Sequence, residues 1–196
     1  MSLRIIGGQF RNRLLKTPKG PQTRPSLGIL RKAVFDILQE EIIDANFLDL
    51  FAGAGSMGLE ALSRGAKHAT FVDLDRYALS CIRENIATLN VGQECTILQS
   101  DASVALSRLG KKQEQFDIVY IDPPYAASAQ KSLLLSLLSQ LETQNLLKEN
   151  AIVFAEEGAP QHLKPNELHL SCLRFVNSRQ FSQSILHQFR KAAEAN

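Results

Sequence analysis

Short apolar runs alternate with helical periodicities along this chain, and that alternation constrains its fold more than any single motif. Runs at Phe47 to Leu50, Ala69 to Val72, Cys95 to Leu98, Phe116 to Ile121 and Ala151 to Ala155 read as buried strands. Between them, apolar residues recur at helical spacing, with Ala78, Ile82, Ile86 and Leu89 in one segment and Leu133, Leu134, Leu137, Leu138 and Leu141 in another. Strand, helix, strand order needs crossover connections. It predicts an α/β, doubly wound, mostly parallel sheet that binds ligands at the carboxyl ends of its strands. After Pro165 the pattern changes: Leu168 to Val176 and Ser184 to Phe189 read as extended with no helix between them, which predicts a closing antiparallel hairpin. Ahead of the sheet, Leu27, Leu30, Ala33, Val34, Ile37 and Leu38 mark a helix with Ser26 as its N-cap. Gly7-Gly8, flanked by Leu3 to Ile6 and Gln9 to Leu15, marks a short strand or hairpin.

At 196 residues and 44% apolar, the chain suits one domain with a modest extension. No run of about 18 apolar residues is present, and Met1 to Ile6 is too short for a signal-peptide core, so neither membrane nor secretion is expected. Cys81, Cys95 and Cys172 are odd in number and far apart, which suits a reducing cytoplasm and gives no metal-ligand spacing. His68, His162, His169 and His187 are scattered singly and read as surface or strand residues, so no metal is expected. Monomer is the default state.

The net charge of +2 conceals a marked asymmetry. Eight basic residues, Arg4, Arg11, Arg13, Lys16, Lys19, Arg24, Arg31 and Lys32, precede the first acid, Asp36, while residues 36 to 196 carry 14 basic and 20 acidic groups. A basic arm over residues 1–25 followed by an acidic body over 26–196 points to a polyanion such as nucleic acid as partner. The competing reading is a solvated tail, or an arm neutralised by the acidic body.

Two motifs carry chemistry. Asp122-Pro123-Pro124-Tyr125 follows the apolar run Phe116 to Ile121. Each proline fixes its φ and removes a donor, which leaves the Asp122 carboxylate and nearby carbonyls as acceptors for an exocyclic amine beside the ring of Tyr125. The second, Asp49-Leu50-Phe51-Ala52-Gly53-Ala54-Gly55-Ser56-Met57-Gly58, contains G-x-G-x-x-G, and Asp73 lies 20 residues after Gly53, where a ribose-binding acid stands in dinucleotide sites. Asp49 breaks the tie between donors: a carboxylate there suits the ammonium of S-adenosylmethionine and opposes a phosphate. Phe51, Ala52, Gly53 and Gly55 would then form the donor turn. Asp73 would accept from ribose hydroxyls, with Leu74 against the adenine. Asp75 competes for that role, and its alternative is to cap the next helix. Asp101, followed by Ala102, would accept from the adenine amine or equally cap its own helix.

Together, Asp49 to Gly55, Gly58-Leu59-Glu60-Ala61-Leu62-Ser63-Arg64-Gly65-Ala66, Asp122 to Tyr125 and the opening Arg4-Ile5-Ile6-Gly7-Gly8-Gln9-Phe10-Arg11 resemble the RsmD-type methyltransferases, bacterial enzymes that methylate N2 of one guanine in 16S ribosomal RNA. The likeness spans residues 3 to about 160, and Arg24-Pro25-Ser26 fits a family Arg-Pro-Thr element. It implies a Rossmann-like sheet of seven strands with an added N-terminal hairpin. It also implies a substrate presented on the small ribosomal subunit. The chain departs from the pattern at Leu27 to Lys32, where Arg31 alone survives of the usual charged residues, and at Arg179-Gln180-Phe181-Ser182. On this resemblance Arg4, Arg11, Arg13, Arg24 and Arg31 are the expected RNA contacts.

The chemistry agrees with the residues. An exocyclic amine is a weak nucleophile whose lone pair must be freed by acceptors on both N–H bonds, and Asp122 with the Pro123 carbonyl suits that task. Orientation of this kind can lower a barrier by roughly 7 to 11 kcal/mol, and Tyr125 stacking contributes about 1 to 3 kcal/mol for a flipped base. Alternatives are an adenine N6 methyltransferase, a nicotinamide-dependent oxidoreductase, which leaves the arm unused, and a noncatalytic RNA-binding assembly factor. Glu156 could assist the guanine edge, although the adjacent acids Glu156-Glu157 read more readily as solvated.

Overall fold

A computed structural model describes residues 3–18, 26–124, 127–159 and 163–193, and outside these lie Arg24 and Tyr125 among the expected site residues. Seven strands, β1 (Asn46–Leu50), β2 (His68–Asp73), β3 (Cys95–Gln99), β4 (Phe116–Ile121), β5 (Leu147–Gly158), β6 (Leu173–Phe181) and β7 (Ser184–Lys191), form one sheet in the order β3-β2-β1-β4-β5-β7-β6. The first five are parallel, and β7 runs antiparallel to both β5 and β6. The helices are α1 (Ser26–Leu38), α2 (Ser56–Ser63), α3 (Arg76–Leu89), α4 (Ala102–Lys111) and α5 (Ala127–Thr143).

Because the sheet is covered on both faces, its central strands are apolar almost throughout. Phe47, Phe71, Tyr120 and Phe154 pack on one face with Val34, Phe35, Leu59 and Ile82, from α1, α2 and α3. Leu48, Leu50, Val119 and Val153 pack on the other with Leu106, Leu137 and Leu138, from α4 and α5. The chain reverses its direction of travel across the sheet between β1 and β4, so their carboxyl ends flank the switch point where such sheets hold ligands.

The last hairpin forms as expected but starts later. Leu168 and Leu170 pack half-buried outside any strand. The strand begins at Leu173 because Glu142, on α5, accepts from the N–H groups of Ser171, Cys172 and Leu173 at 2.7 to 2.9 Å and fixes the entry. A register shift between Phe175 and Asn177 then lets β6 continue through polar residues to Phe181.

The arm folds back on itself through an antiparallel bridge, Arg4 to Leu14, supported by Ile5 N–H to the Arg13 carbonyl and Leu15 N–H to the Leu3 carbonyl. It lies against α2. Gly8 has φ +72°, and a Cβ there would stand 1.7 Å from the Ser63 carbonyl oxygen, so this close approach requires glycine. The α2 carboxylate of Glu60 accepts from Ile6 and Gly7 N–H, both at 2.7 Å, and from Arg64 Nε at 2.8 Å. Ser63 Oγ accepts from Phe10 N–H and donates to the Gly7 carbonyl.

Arg31 corrects the sequence expectation of an RNA contact. It is 3% exposed, donates from Nη2 to the Arg4 carbonyl at 2.6 Å and has Nε 3.6 Å from Glu60. Burial lowers its pKa, and its role is to seat the arm. Among the described residues no helix is long and apolar enough to cross a membrane.

Candidate active site

Two chain segments leave the sheet side by side at the switch point. After β1 the backbone turns through Phe51 (φ +62°), Gly53 (φ +55°) and Gly55 (φ +78°) before α2 begins. The turn is laced by Ala52 N–H to the Val72 carbonyl at 3.0 Å and Gly55 N–H to the Ala52 carbonyl at 2.7 Å. Nothing lies within 4 Å of where a Cβ on Gly53 would be, so the outside of the turn is open. A Cβ on Gly58 would sit 2.3 Å from the Phe71 ring, so α2 can rest on β2 only without one. After β4, Asp122 N–H donates to the Leu50 carbonyl at 3.4 Å, which joins the Asp-Pro-Pro element to the residue just before the turn. Asp122 is half-buried, Pro123 buried and Pro124 exposed.

Asp73, at the end of β2, spans the turn. Its Oδ2 accepts from Gly53 N–H and its Oδ1 from Asp75 N–H, both at 2.8 Å. Four lone-pair positions on a carboxylate leave room for further donors. Leu74 beside it is 67% exposed, an open apolar face at the same mouth. Asp75 caps α3 by accepting from Tyr77 N–H, and Asp101 caps α4 by accepting from Ser103 and Val104 N–H, so the capping alternatives are realised at both positions. Ala52 and Ala102 are buried, and the Ala102 side chain is taken up by the core under α4, leaving it only backbone to offer.

Asp49 differs from expectation. Instead of standing open to a ligand, it is 2% exposed beneath the turn, where Oδ2 accepts from Gly58 N–H at 3.0 Å. Burial pushes its pKa up to about 7, against the lowering effect of that hydrogen bond and with a further raise from Asp73. The carboxylate is thus a brace that holds α2 against β1 while carrying a readily altered charge.

Glu156 also departs from the solvated reading. Glu156 and Glu157 are fully buried on opposite faces of β5. Tyr120 Oη donates to Glu156 Oε2 at 2.6 Å, and Glu157 faces His187 Nε2 at 2.9 Å, while His187 Nδ1 meets Ser178 Oγ at 2.7 Å. Burial and the nearby charges of Glu156, Asp122 and Asp49 hold the Tyr120 phenol protonated. Tyr120 therefore sits among three carboxylates at the carboxyl end of β4.

Sequence reading passed over Glu60, Tyr120 and Asn85. A signal existed for Glu60, since α2 is apolar on every side and an acid there must find buried partners. Arg4, Arg11 and Arg13 are exposed, and among the described residues none of them is ion-paired, whereas Lys16 pairs with Glu84. A polar cavity of about 560 Å3 lined by Asp117, Asn145, Lys148 and Lys191 lies near the start of β5, away from the turn.

Residues 3–190 match the family model described as conserved hypothetical protein 95. Over 154 residues the chain is 38% identical to "Ribosomal RNA small subunit methyltransferase D" of Escherichia coli K12, covering 79% of this chain and 74% of the relative. The solved structure of yhhF from Escherichia coli superposes with a TM-score of 0.82 at 30% identity, covering 99% of this chain and all of that one. A 16S rRNA N2 G1207 methyltransferase of T. thermophilus, solved with AdoMet and guanosine, shares the fold at 17% identity and a TM-score of 0.70, covering 98% of this chain and 50% of that one. The chain belongs to the RsmD family of ribosomal RNA methyltransferases.

Proposed function

We propose that this protein transfers a methyl group from S-adenosylmethionine to the exocyclic N2 amine of a guanine in 16S ribosomal RNA, presented by the small ribosomal subunit. The observation that carries the reading is the adjacency of the open glycine turn after β1 and the Asp122-Pro123-Pro124 element after β4 across the switch point. Free space outside Gly53, lone pairs left on Asp73 and the open face of Leu74 fit an uncharged nucleoside, and Asp101 at the start of α4 borders the same ends of the strands. Ionised Asp49 beneath the turn is favoured by a cation above it.

When bound, S-adenosylmethionine supplies a methyl group made electrophilic by its sulfonium. Asp122 and the Pro123 carbonyl accept the two N–H bonds of the guanine amine and turn its lone pair toward that methyl. Transfer would form the N–C bond as the methyl–sulfur bond breaks, leaving S-adenosylhomocysteine, while Asp122 would hold the proton that the nitrogen sheds and Tyr125 would stack on the base. The chemistry calls for no metal. Arg4, Arg11, Arg13 and Arg24 on the arm contact phosphates, which position the RNA without reading its sequence. On this reading residues 1–25 dock and 26–196 catalyse, as a monomer in the bacterial cytoplasm.

The test uses labelled donor and small subunits from cells lacking the modification. Asp122→Ala is expected to lower methylation by at least about 100-fold, and nucleoside mass spectrometry of the wild-type product should show N2-methylguanosine. Undiminished activity in the variant overturns the role of Asp122, and N6-methyladenosine as product overturns the guanine assignment.

A further inference from the structure

The arm and the glycine turn meet at one buried side chain. Asn85, on α3, is 3% exposed. Its Oδ1 accepts from Lys16 N–H at 2.7 Å, and its Nδ2 donates to the Lys16 carbonyl at 3.0 Å and to the Ala54 carbonyl at 3.1 Å. The backbone partners fix the orientation of the amide, because an N–H can only donate and the two carbonyls only accept. Ala54 stands between Gly53 and Gly55, the two positive-φ glycines of the turn. At its other end the arm is tied through Glu60 to α2, the helix that begins at Ser56 where the same turn ends. The arm therefore grips the turn from both sides, through α2 and through Asn85.

Resting on the function proposed above, we propose that Asn85 is a positioning residue that couples RNA docking on the arm to the conformation of the donor turn. RNA and methyl donor then each raise the other's affinity. Phosphate contacts at Arg11 and Arg13 restrict the arm, Lys16 restricts the Asn85 amide, and the amide restricts Ala54. The ordering entropy of the turn is lost once rather than separately for each ligand. Linkage makes the effect reciprocal. If Asn85 did no more than satisfy buried carbonyls, its loss would lower stability and leave the ratio of donor affinities with and without RNA unchanged.

Equilibrium dialysis of labelled S-adenosylhomocysteine against the full-length protein, with and without small subunits lacking the modification, measures that ratio. Wild type should bind the probe about 5- to 50-fold tighter with subunits present. Asn85→Asp keeps an acceptor for Lys16 N–H but cannot donate to either carbonyl, and its ratio should fall to within about 2-fold of unity. A wild-type ratio of one, or an unchanged ratio in Asn85→Asp, overturns the coupling. Should Asn85→Asp not fold, hydrogen exchange of wild type decides instead: subunits alone should slow exchange across residues 50–60 severalfold, and unaltered exchange overturns the inference. Normal methylation with a ratio of one sinks only the coupling, whereas no probe binding under any condition sinks the proposed function with it.

Discussion

Two segments are added to the parallel core, and they are held in opposite ways. The β6–β7 hairpin is attached by a ladder that runs from Ile152–Arg190 to Gly158–Ser184 on β5 and along the length of β6, with the rings of Phe175 and Phe189 edge to face at 5.8 Å. Among its described residues the arm has one bridge, and its seat is a set of buried polar groups, Glu60, Ser63 and Asn85, which reach back 53 to 69 residues along the chain. A ladder divides its free energy among many small terms. A buried polar hub concentrates it, because losing one member leaves its partners desolvated and unpaired. The hairpin should therefore tolerate substitution, and the arm should be brittle.

The strongest way to break the contrast is Glu60→Ala, which strands Arg31 and the N–H groups of Ile6 and Gly7. Urea unfolding should show a loss of about 3 to 5 kcal/mol. A loss under about 1 kcal/mol, no more than a surface change, would erase the difference between the two attachments.

Asp49 probes the same polar region by pH. Its folded pKa of about 7 lies above its ordinary 3.8, so between those values the folded protein holds the extra proton and its stability declines as pH rises. The window amounts to roughly 4 kcal/mol. Asp49→Asn keeps an acceptor for Gly58 N–H without titrating, so its stability should vary less between pH 4 and 7. An identical slope in wild type and variant counts against the assignment.

Gly8→Ala adds a methyl group in contact with the Ser63 carbonyl at a positive φ and should cost about 2 kcal/mol, with faster exchange of the Gln9 and Phe10 amides. At the other extreme stands Val176→Thr on β6, where the side chain is 48% exposed. Its thermal unfolding should stay within about 0.5 kcal/mol of wild type, and a larger change would mean that the hairpin, too, depends on single contacts.

What the sequence reveals and what it hides divide along the same line. Strands β1 to β5, the hairpin and the switch point are written in apolar periodicity, which is local, and the Asp122 element is readable because prolines restrict their own backbone. Arg31 and Glu156 mislead for a shared reason. A charge in sequence suggests solvent, and only the fold brings Glu60 to Arg31 or Tyr120 to Glu156. Asp49 reads toward a ligand because its place before the turn is visible, while the direction of its side chain is set by the α2 amide of Gly58, nine residues on. The late start of β6 likewise depends on Glu142, about thirty residues earlier in the chain.

The arm's reliance on distant polar partners also orders its folding. Its seats on α2 and α3 do not exist until the β1–α2–β2–α3 unit has formed, and the intervening chain must close before Glu60 or Asn85 can reward it. The segment richest in positive charge should therefore dock only after the sheet has condensed, and late protection of the Ile6 and Gly7 amides in pulsed hydrogen exchange during refolding would show it.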